Sequence, residues 1–245
     1  MKRMDELSMF FPAYNEIANL PKLVKSAKKL GNKVAHKYEI ILIVHQNSND
    51  GSIELAKSMA RNDSKIKFVL QKRSNPGIGA AISMGFKTAK YMNMFYADSD
   101  NQFELNDFIK FLPYIEKFDV IAGYRIKRED PLARIITAKI YNMLVRLLFL
   151  VPQKDVDCAF RFVKKSVIKK IKIMSRYGLA TTELLARARR NGFKIKQIGV
   201  NHYPRLHGKP VFEMGNWLNL PRPRVVLDLL NEIFKLAGDL YLNKG

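Results

Sequence analysis

Short, unbroken apolar runs alternate along the chain with longer stretches in which apolar residues return every three or four positions. LSMFF at 7–11 and EIILIV at 39–44 are short and rich in β-formers, and Asn15 to Lys37 between them has helical spacing. The unit repeats as a helix from Ser52 to Asn62, a strand IKFVL at 66–70 and a helix from Ala80 to Lys90. A strand YMNMFYA at 91–97, a helix near 105–116 and a strand DVIAG at 119–123 follow. Apolar strands separated by helices predict an α/β fold, a mostly parallel central sheet covered by helices on both faces. Ligands of such sheets bind at the carboxyl ends of the strands. PAYNE at 12–16, HQNSNDGS at 45–52 and DSDNQFE at 98–104 each follow a strand and should converge on one edge.

From Pro131 to Val151 the rhythm changes. This segment opens with Pro at a first-turn position and is apolar on more than one face, interrupted by Arg134, Lys139 and Arg146. It is too charged to span a bilayer, which leaves a buried helix or a helix lying in a membrane interface. Trp217 to Leu242 is a second amphipathic segment, entered through two prolines, with the same two readings. The division expected is one domain over 1–210 and an amphipathic C-terminal extension over 211–245, the whole cytoplasmic and peripherally associated with a membrane.

Composition narrows the company the chain keeps. Of 245 residues, 47% are hydrophobic, enough for a sizeable core, and 43 Lys and Arg against 22 Asp and Glu give a net charge of +21. That excess points to polyanions: phosphorylated substrates, an anionic membrane surface or nucleic acid. The cations are spread along the chain, without a basic tail, zinc-finger spacing or RNA-recognition signature, so nucleic acid is not the expected partner. Cys158 is the only cysteine, which excludes an internal disulfide and a cysteine-based zinc cluster.

Candidate chemistry lies in the strand-end loops. Asp98 and Asp100 follow an apolar strand, and two closely spaced carboxylates with Gln102 as a third oxygen donor suit a hard divalent cation against a diphosphate. Gly77 and Gly79 in NPGIGAA precede a helix without the ending of a phosphate-binding P-loop, and tight helix packing is expected there. Asp50 is placed to cap the helix beginning near Ser52.

Taken in order, FPAYNE (11–16), VHQNSNDGS (44–52), NPGIGAA (75–81), ADSDNQF (97–103), GYR (123–125), DVDCAFR (155–161), TTELLARARRNG (181–192) and HYPRLHG (202–208) resemble the inverting glycosyltransferases of family 2. Within that family the likeness is to the branch of dolichol- or polyprenol-phosphate sugar synthases, and it covers roughly residues 6–210. The resemblance implies a GT-A type nucleotide-binding fold and a sugar passed from a nucleotide-sugar donor to a polyprenyl phosphate. It implies Pro12, Tyr14, Glu16, Gln46 and Asp98 at the donor, and Mg²⁺ or Mn²⁺ on Asp98, Asp100 and Gln102. Arg125, Arg161 and Arg205 fall on motifs suited to the acceptor phosphate, and Asp100, Arg125 and Glu183 complete the expected catalytic set. An integral membrane partner is a further expectation.

Two departures stand out. His45 and Gln46 occupy positions where the family carries acids, and Arg205-Leu206-His207-Gly208-Lys209-Pro210 replaces the R-x-x-G-x-S-K ending of the lipid-phosphate branch. A glycan or other hydroxyl acceptor therefore stays open, with Glu183 as base or, alternatively, as a cap paired with Arg187. A non-catalytic binder with a degenerate site is the third reading.

Overall fold

The computed structural model describes residues 3–127, 132–208 and 223–241. Among these, seven strands form one sheet in the order β3-β2-β1-β4-β6-β5-β7. The strands are β1 (Met4–Ala13), β2 (Ala35–His45), β3 (Ile66–Gln71), β4 (Asn93–Tyr96), β5 (Val120–Arg125), β6 (Arg161–Lys164) and β7 (Ile195–Val200). All neighbouring pairs are parallel except those of β6, which runs antiparallel to both β4 and β5. The mostly parallel α/β sheet is the expected one.

Alternation along the strands makes the two cores. Leu7, Met9 and Phe11 of β1 with Ile40, Leu42 and Val44 of β2 face a core shared with α1 (Leu20–Val34) and a 3-10 helix over Leu105–Tyr114. Phe10, Ile41 and Ile43 face the other side, under α3 (Ile78–Thr88), α4 (Leu132–Phe149), α6 (Ala180–Arg190) and α7 (Pro223–Tyr241). With both faces covered, these strands read as unbroken apolar runs.

α2 (Ser52–Asn62) has the expected bounds. The helix expected from Asn15 to Lys37 is shorter at both ends: residues 14–19 form the site loop, and Ala35–Lys37 begin β2, where Ala35 is buried and pairs with Met4 of β1. The segment near 105–116 is a 3-10 helix that contains Pro113, whose missing N–H is tolerated poorly by a regular α-helix. β6, β7 and the short α5 (Lys165–Lys170) were not expected.

NPGIGAA packs as expected. A Cβ on Gly79 would stand 2.3 Å from the Ser175 carbonyl oxygen and 2.6 Å from Ala180 Cβ. The Gly79 N–H instead donates to the Arg176 carbonyl at 2.8 Å, so the glycine lets the start of α3 press on the segment leading into α6.

α4 and α7 are apolar on two faces. Val145 and Phe149 of α4 and Ile233, Leu236 and Leu240 of α7 are buried. Ile140, Met143, Leu144, Leu147 and Leu148 of α4 and Leu227, Leu230, Phe234 and Tyr241 of α7 point outward, Leu147 at 71% and Phe234 at 72% exposure. The Tyr241 hydroxyl donates to the Leu148 carbonyl at 2.6 Å, which joins the two helices. Among the described residues no helix is long and apolar enough to cross a membrane. Pro131, residues 209–222 and Leu242, which bound these segments in the sequence reading, lie outside the described residues.

Candidate active site

The three polar loops meet at the carboxyl ends of β1, β2 and β4. Two of them turn on asparagine in the left-handed region, Asn15 at φ 54° after β1 and Asn101 at φ 59° after β4, a conformation asparagine tolerates better than most side chains. The loops are cross-braced. Ser52 Oγ accepts from the Glu16 N–H at 2.9 Å, Asp50 accepts from the Ile17 N–H at 2.9 Å and Asn15 Oδ1 accepts from the Asn49 N–H at 2.9 Å. Asp50 also accepts from the Ser52 N–H at 2.9 Å, while the cap position itself is held by Gly51 in the left-handed conformation. Ser99 Oγ donates to the Pro12 carbonyl at 2.7 Å and ties the β4 loop to the β1 loop.

At the centre stand Glu16, Asp100 and Arg205. Nη2 of Arg205 lies 3.1 Å from Glu16 Oε1 and 2.9 Å from Asp100 Oδ2, so one guanidinium bridges both carboxylates. Glu16 is buried, and burial raises its carboxyl above the ordinary range while Asn19 and Arg205 pull it down. Gln102 turns its amide to the Tyr203 carbonyl at 2.9 Å, and its own N–H donates to Asp100 Oδ1 at 3.1 Å. The strand-like contact of Phe103 with His202 brings HYPRLHG over this edge.

Asp98 is the strained charge. Burial first, then the like charges of Asp100 and Asp157, push its carboxyl up to about 8. Among the described residues no group of three or more His, Cys, Asp or Glu is arranged to hold a metal ion. The donor chemistry nonetheless suits one, since Asp98, Asp100 and Gln102 offer oxygens and, beyond burial, the like charges of Asp100 and Asp157 raise the Asp98 carboxyl.

On the β2 side of the site Tyr14 meets His45 edge to face, ring centroids 5.6 Å apart. Gln46 follows His45, and Pro12 is buried near the end of β1, in register with Ile43 of β2.

The remaining candidates are placed differently. Arg125 presents Nε and Nη2 to Asp155 in a fork, at 2.7 and 2.8 Å, and that pairing raises its pKa. Arg161 is fully buried, donating to the carbonyls of Cys158 at 2.9 Å, Thr181 and Val156. Glu183 is also fully buried: it accepts from the Met174 N–H at 3.0 Å, the Ser175 N–H at 2.7 Å and Arg187 Nε at 2.6 Å. Of its two sequence readings, the geometry is that of the pair with Arg187, with backbone groups of 174–175 added. Cys158 is buried and burial pushes its thiol up to about 12, so it packs rather than reacts.

Asn19 escaped the sequence reading. It donates to Glu16 and to the His207 carbonyl at 3.4 Å, and its own carbonyl accepts from Asn101 at 2.9 Å. An asparagine one residue before a helix reads as an ordinary cap, so nothing in the sequence marked it as a hub.

The model of glycosyl transferase family 2 matches residues 8–175. Similar proteins include the undecaprenyl-phosphate 4-deoxy-4-formamido-L-arabinose transferase of Aeromonas hydrophila, 29% identical over 218 residues, which are 87% of this chain and 65% of that protein. The protein of the same name from Pseudomonas aeruginosa is 26% identical, with 97% of this chain and 72% of that one aligned. The dodecaprenyl-phosphate galacturonate synthase of Rhizobium johnstonii is 26% identical, with 94% and 67% aligned. The chain thus spans about two thirds of the length of these relatives. In fold it is similar to glucosyl-3-phosphoglycerate synthase from Mycobacterium tuberculosis, solved with Mn²⁺, UDP and glucosyl-3-phosphoglycerate, at a TM-score of 0.67 and 16% identity over 94% of this chain and 80% of that one.

Proposed function

The chain belongs to glycosyl transferase family 2, and from that premise we propose an inverting, metal-dependent transfer of a sugar from a nucleotide donor to a polyprenyl phosphate at the cytoplasmic face of a membrane. The observation that carries the reading is the convergence of Glu16, Asp98, Asp100 and Arg205 at the carboxyl ends of β1 and β4. The names of the relatives supply the acceptor class.

Pro12, Tyr14, Glu16 and Gln46 hold the nucleoside, with Glu16 at the ribose. Asp98, Asp100 and Gln102 hold Mg²⁺ or Mn²⁺, which supplies neutralisation of charge on the departing diphosphate. An acceptor phosphate oxygen attacks the anomeric carbon as the bond to the diphosphate breaks. That oxygen is already anionic, so no side-chain base is needed. Arg205 orients the acceptor phosphate, and Arg125, fixed by Asp155, lends positive charge beside it. Arg161 and Glu183 take supporting roles, since both are buried and fully engaged. The engagement of Glu183 weighs against a hydroxyl acceptor, which would need a base.

The outward apolar stripes of α4 and α7, with Lys139, Arg146 and Lys235 exposed beside them, fit an anionic membrane surface. Asn142 on the inner side of α4 accepts from the Val156 N–H at 2.9 Å, so the helix that meets the lipid also holds the 155–157 loop beside Asp98.

Reconstitution tests the reading: purified chain, anionic vesicles containing polyprenyl phosphate, labelled nucleotide sugars and Mn²⁺. A labelled lipid-linked sugar is expected. Label appearing on a glycan and never on lipid would instead establish the hydroxyl acceptor, and no transfer with any donor would leave a binder.

A further inference from the structure

The edge of the sheet where β2, β3 and β4 begin carries a second concavity, which the transfer chemistry does not use. It is a cavity of about 320 Å³, within the size range of small-molecule sites, and Lys37, Lys65, Lys67 and Lys90 all line it. β2 runs from Glu39 in this cavity to His45 at the candidate active site, about 20 Å at the rise of a strand. One bound phosphate cannot touch both.

Glu39 organises the rim. It is buried, and its Oε2 accepts from Lys67 Nζ at 2.6 Å while its Oε1 accepts from Ser8 Oγ and from the Lys90 N–H, each at 2.6 Å. Ser8 Oγ in turn accepts from the Tyr91 N–H at 3.0 Å. The single acid of the cavity is thus paired with Lys67, and it fixes the backbone that carries Lys90 and Tyr91. Tyr38 is held by packing, since a Cβ on Gly31 would stand 2.6 Å from its ring. Lys65 Nζ lies 4.5 Å from the centre of the Tyr38 ring and Lys90 Nζ 5.4 Å from that of Tyr91, so tyrosine faces orient both ammonium groups.

Three of the four cations have no acid of their own. Among the described residues no carboxylate lies within ion-pair distance of Lys37, Lys65 or Lys90. Asp63, which attracts Lys65, is bonded to Lys28 at 2.7 Å. Ammonium groups gathered around one concavity favour a compact, multiply charged anion over a single carboxylate. We infer that this cavity is a second ligand site, which binds the phosphate or diphosphate group of a soluble molecule or of a lipid headgroup. It stands apart from the donor and acceptor of the transfer reaction and does not depend on that reading.

Calorimetric titration of the full chain with pyrophosphate, in chelator and without divalent metal, tests the site. The double substitution Lys65→Ala with Lys90→Ala should weaken binding about ten- to a hundredfold. Lys65→Arg with Lys90→Arg should retain most of it. The control is Lys22→Ala with Lys25→Ala, which removes the same charge from the exposed face of α1 and should leave binding unchanged. Equal losses from the two alanine pairs would mean diffuse attraction to a basic surface and would overturn the inference, as would a wild-type chain that does not bind pyrophosphate. Flotation with phosphatidic acid vesicles, against phosphatidylcholine alone, names the source. A vesicle affinity lost with Lys65 and Lys90 identifies a lipid headgroup, and loss of pyrophosphate binding alone identifies a soluble ligand.

Discussion

Two layers of charge lie within a few residues of one another in this molecule, and they are treated in opposite ways. In the layer beneath the site, each charge is matched: Arg161 has three carbonyls, Glu183 two backbone N–H groups and a guanidinium, and Arg125 the fork of Asp155. At the strand ends, carboxylates of like sign crowd together, Asp98 is pushed up to about 8, and one guanidinium is shared between Glu16 and Asp100. Buried charges that serve the fold must be satisfied, or the fold is lost. Charges that serve a ligand are left mismatched until the ligand arrives.

The largest expected effect tests the matched layer. Arg161→Ala orphans three buried carbonyls and opens a cavity, and it should lower stability by about 3 to 5 kcal/mol in denaturant unfolding. A stable variant with a raised KM for the lipid acceptor would move Arg161 to the acceptor site. Next comes the mismatched layer. Asp100→Ala should cut transfer on the order of a hundredfold and weaken Mn²⁺ binding, while the unfolding midpoint holds or rises. Full turnover in this variant would remove Asp100 from the metal role.

The third effect is a pH dependence. An acid raised from its ordinary 3.8 to about 8 keeps its proton in the folded chain when the unfolded chain has released it. The folded state then binds more protons across that window, and metal-free stability falls as pH rises through it. Asp98→Asn should flatten the slope, by at most about 1.4 kcal/mol per pH unit, measured by urea unfolding between pH 5 and 8. An unchanged slope would acquit Asp98. The smallest effect on the reaction is that of Glu183→Gln, whose amide NH2 turns a donor toward the N–H groups of 174–175 or toward Arg187 and should cost about 1 to 3 kcal/mol of stability. Its kcat should be unchanged. A large loss of kcat without loss of stability would make Glu183 a base after all.

The sheet was legible because β1 and β2 are buried on both faces and announce themselves as apolar runs, and the edge followed from the rule that strand-end loops carry the ligand. β6 was not, since RFVK is four residues long, half of them cationic, and its place between β4 and β5 depends on distant partners. Arg161 looked like a ligand-binding charge for a related reason: a sequence shows the guanidinium but not the carbonyls that fold around it. Glu183 kept two readings until the N–H groups of 174–175 had positions. Asn19 carried no signal at all, its importance lying wholly in three loops that meet beside it.

The antiparallel β6 has a consequence for how the chain is made. β1 to β4 can assemble as a parallel unit while the ribosome is still working, yet the outer edge of β4 finds its partner only when Arg161–Lys164 emerges, after β5 and α4 have passed. β5 in turn pairs with β6 and β7, both later in synthesis. For that interval the nascent chain carries an apolar strand edge, Met94 to Tyr96, open to any other strand nearby. The vulnerable moment of this protein is therefore in its synthesis, and slowing translation between β4 and β6 should lengthen it.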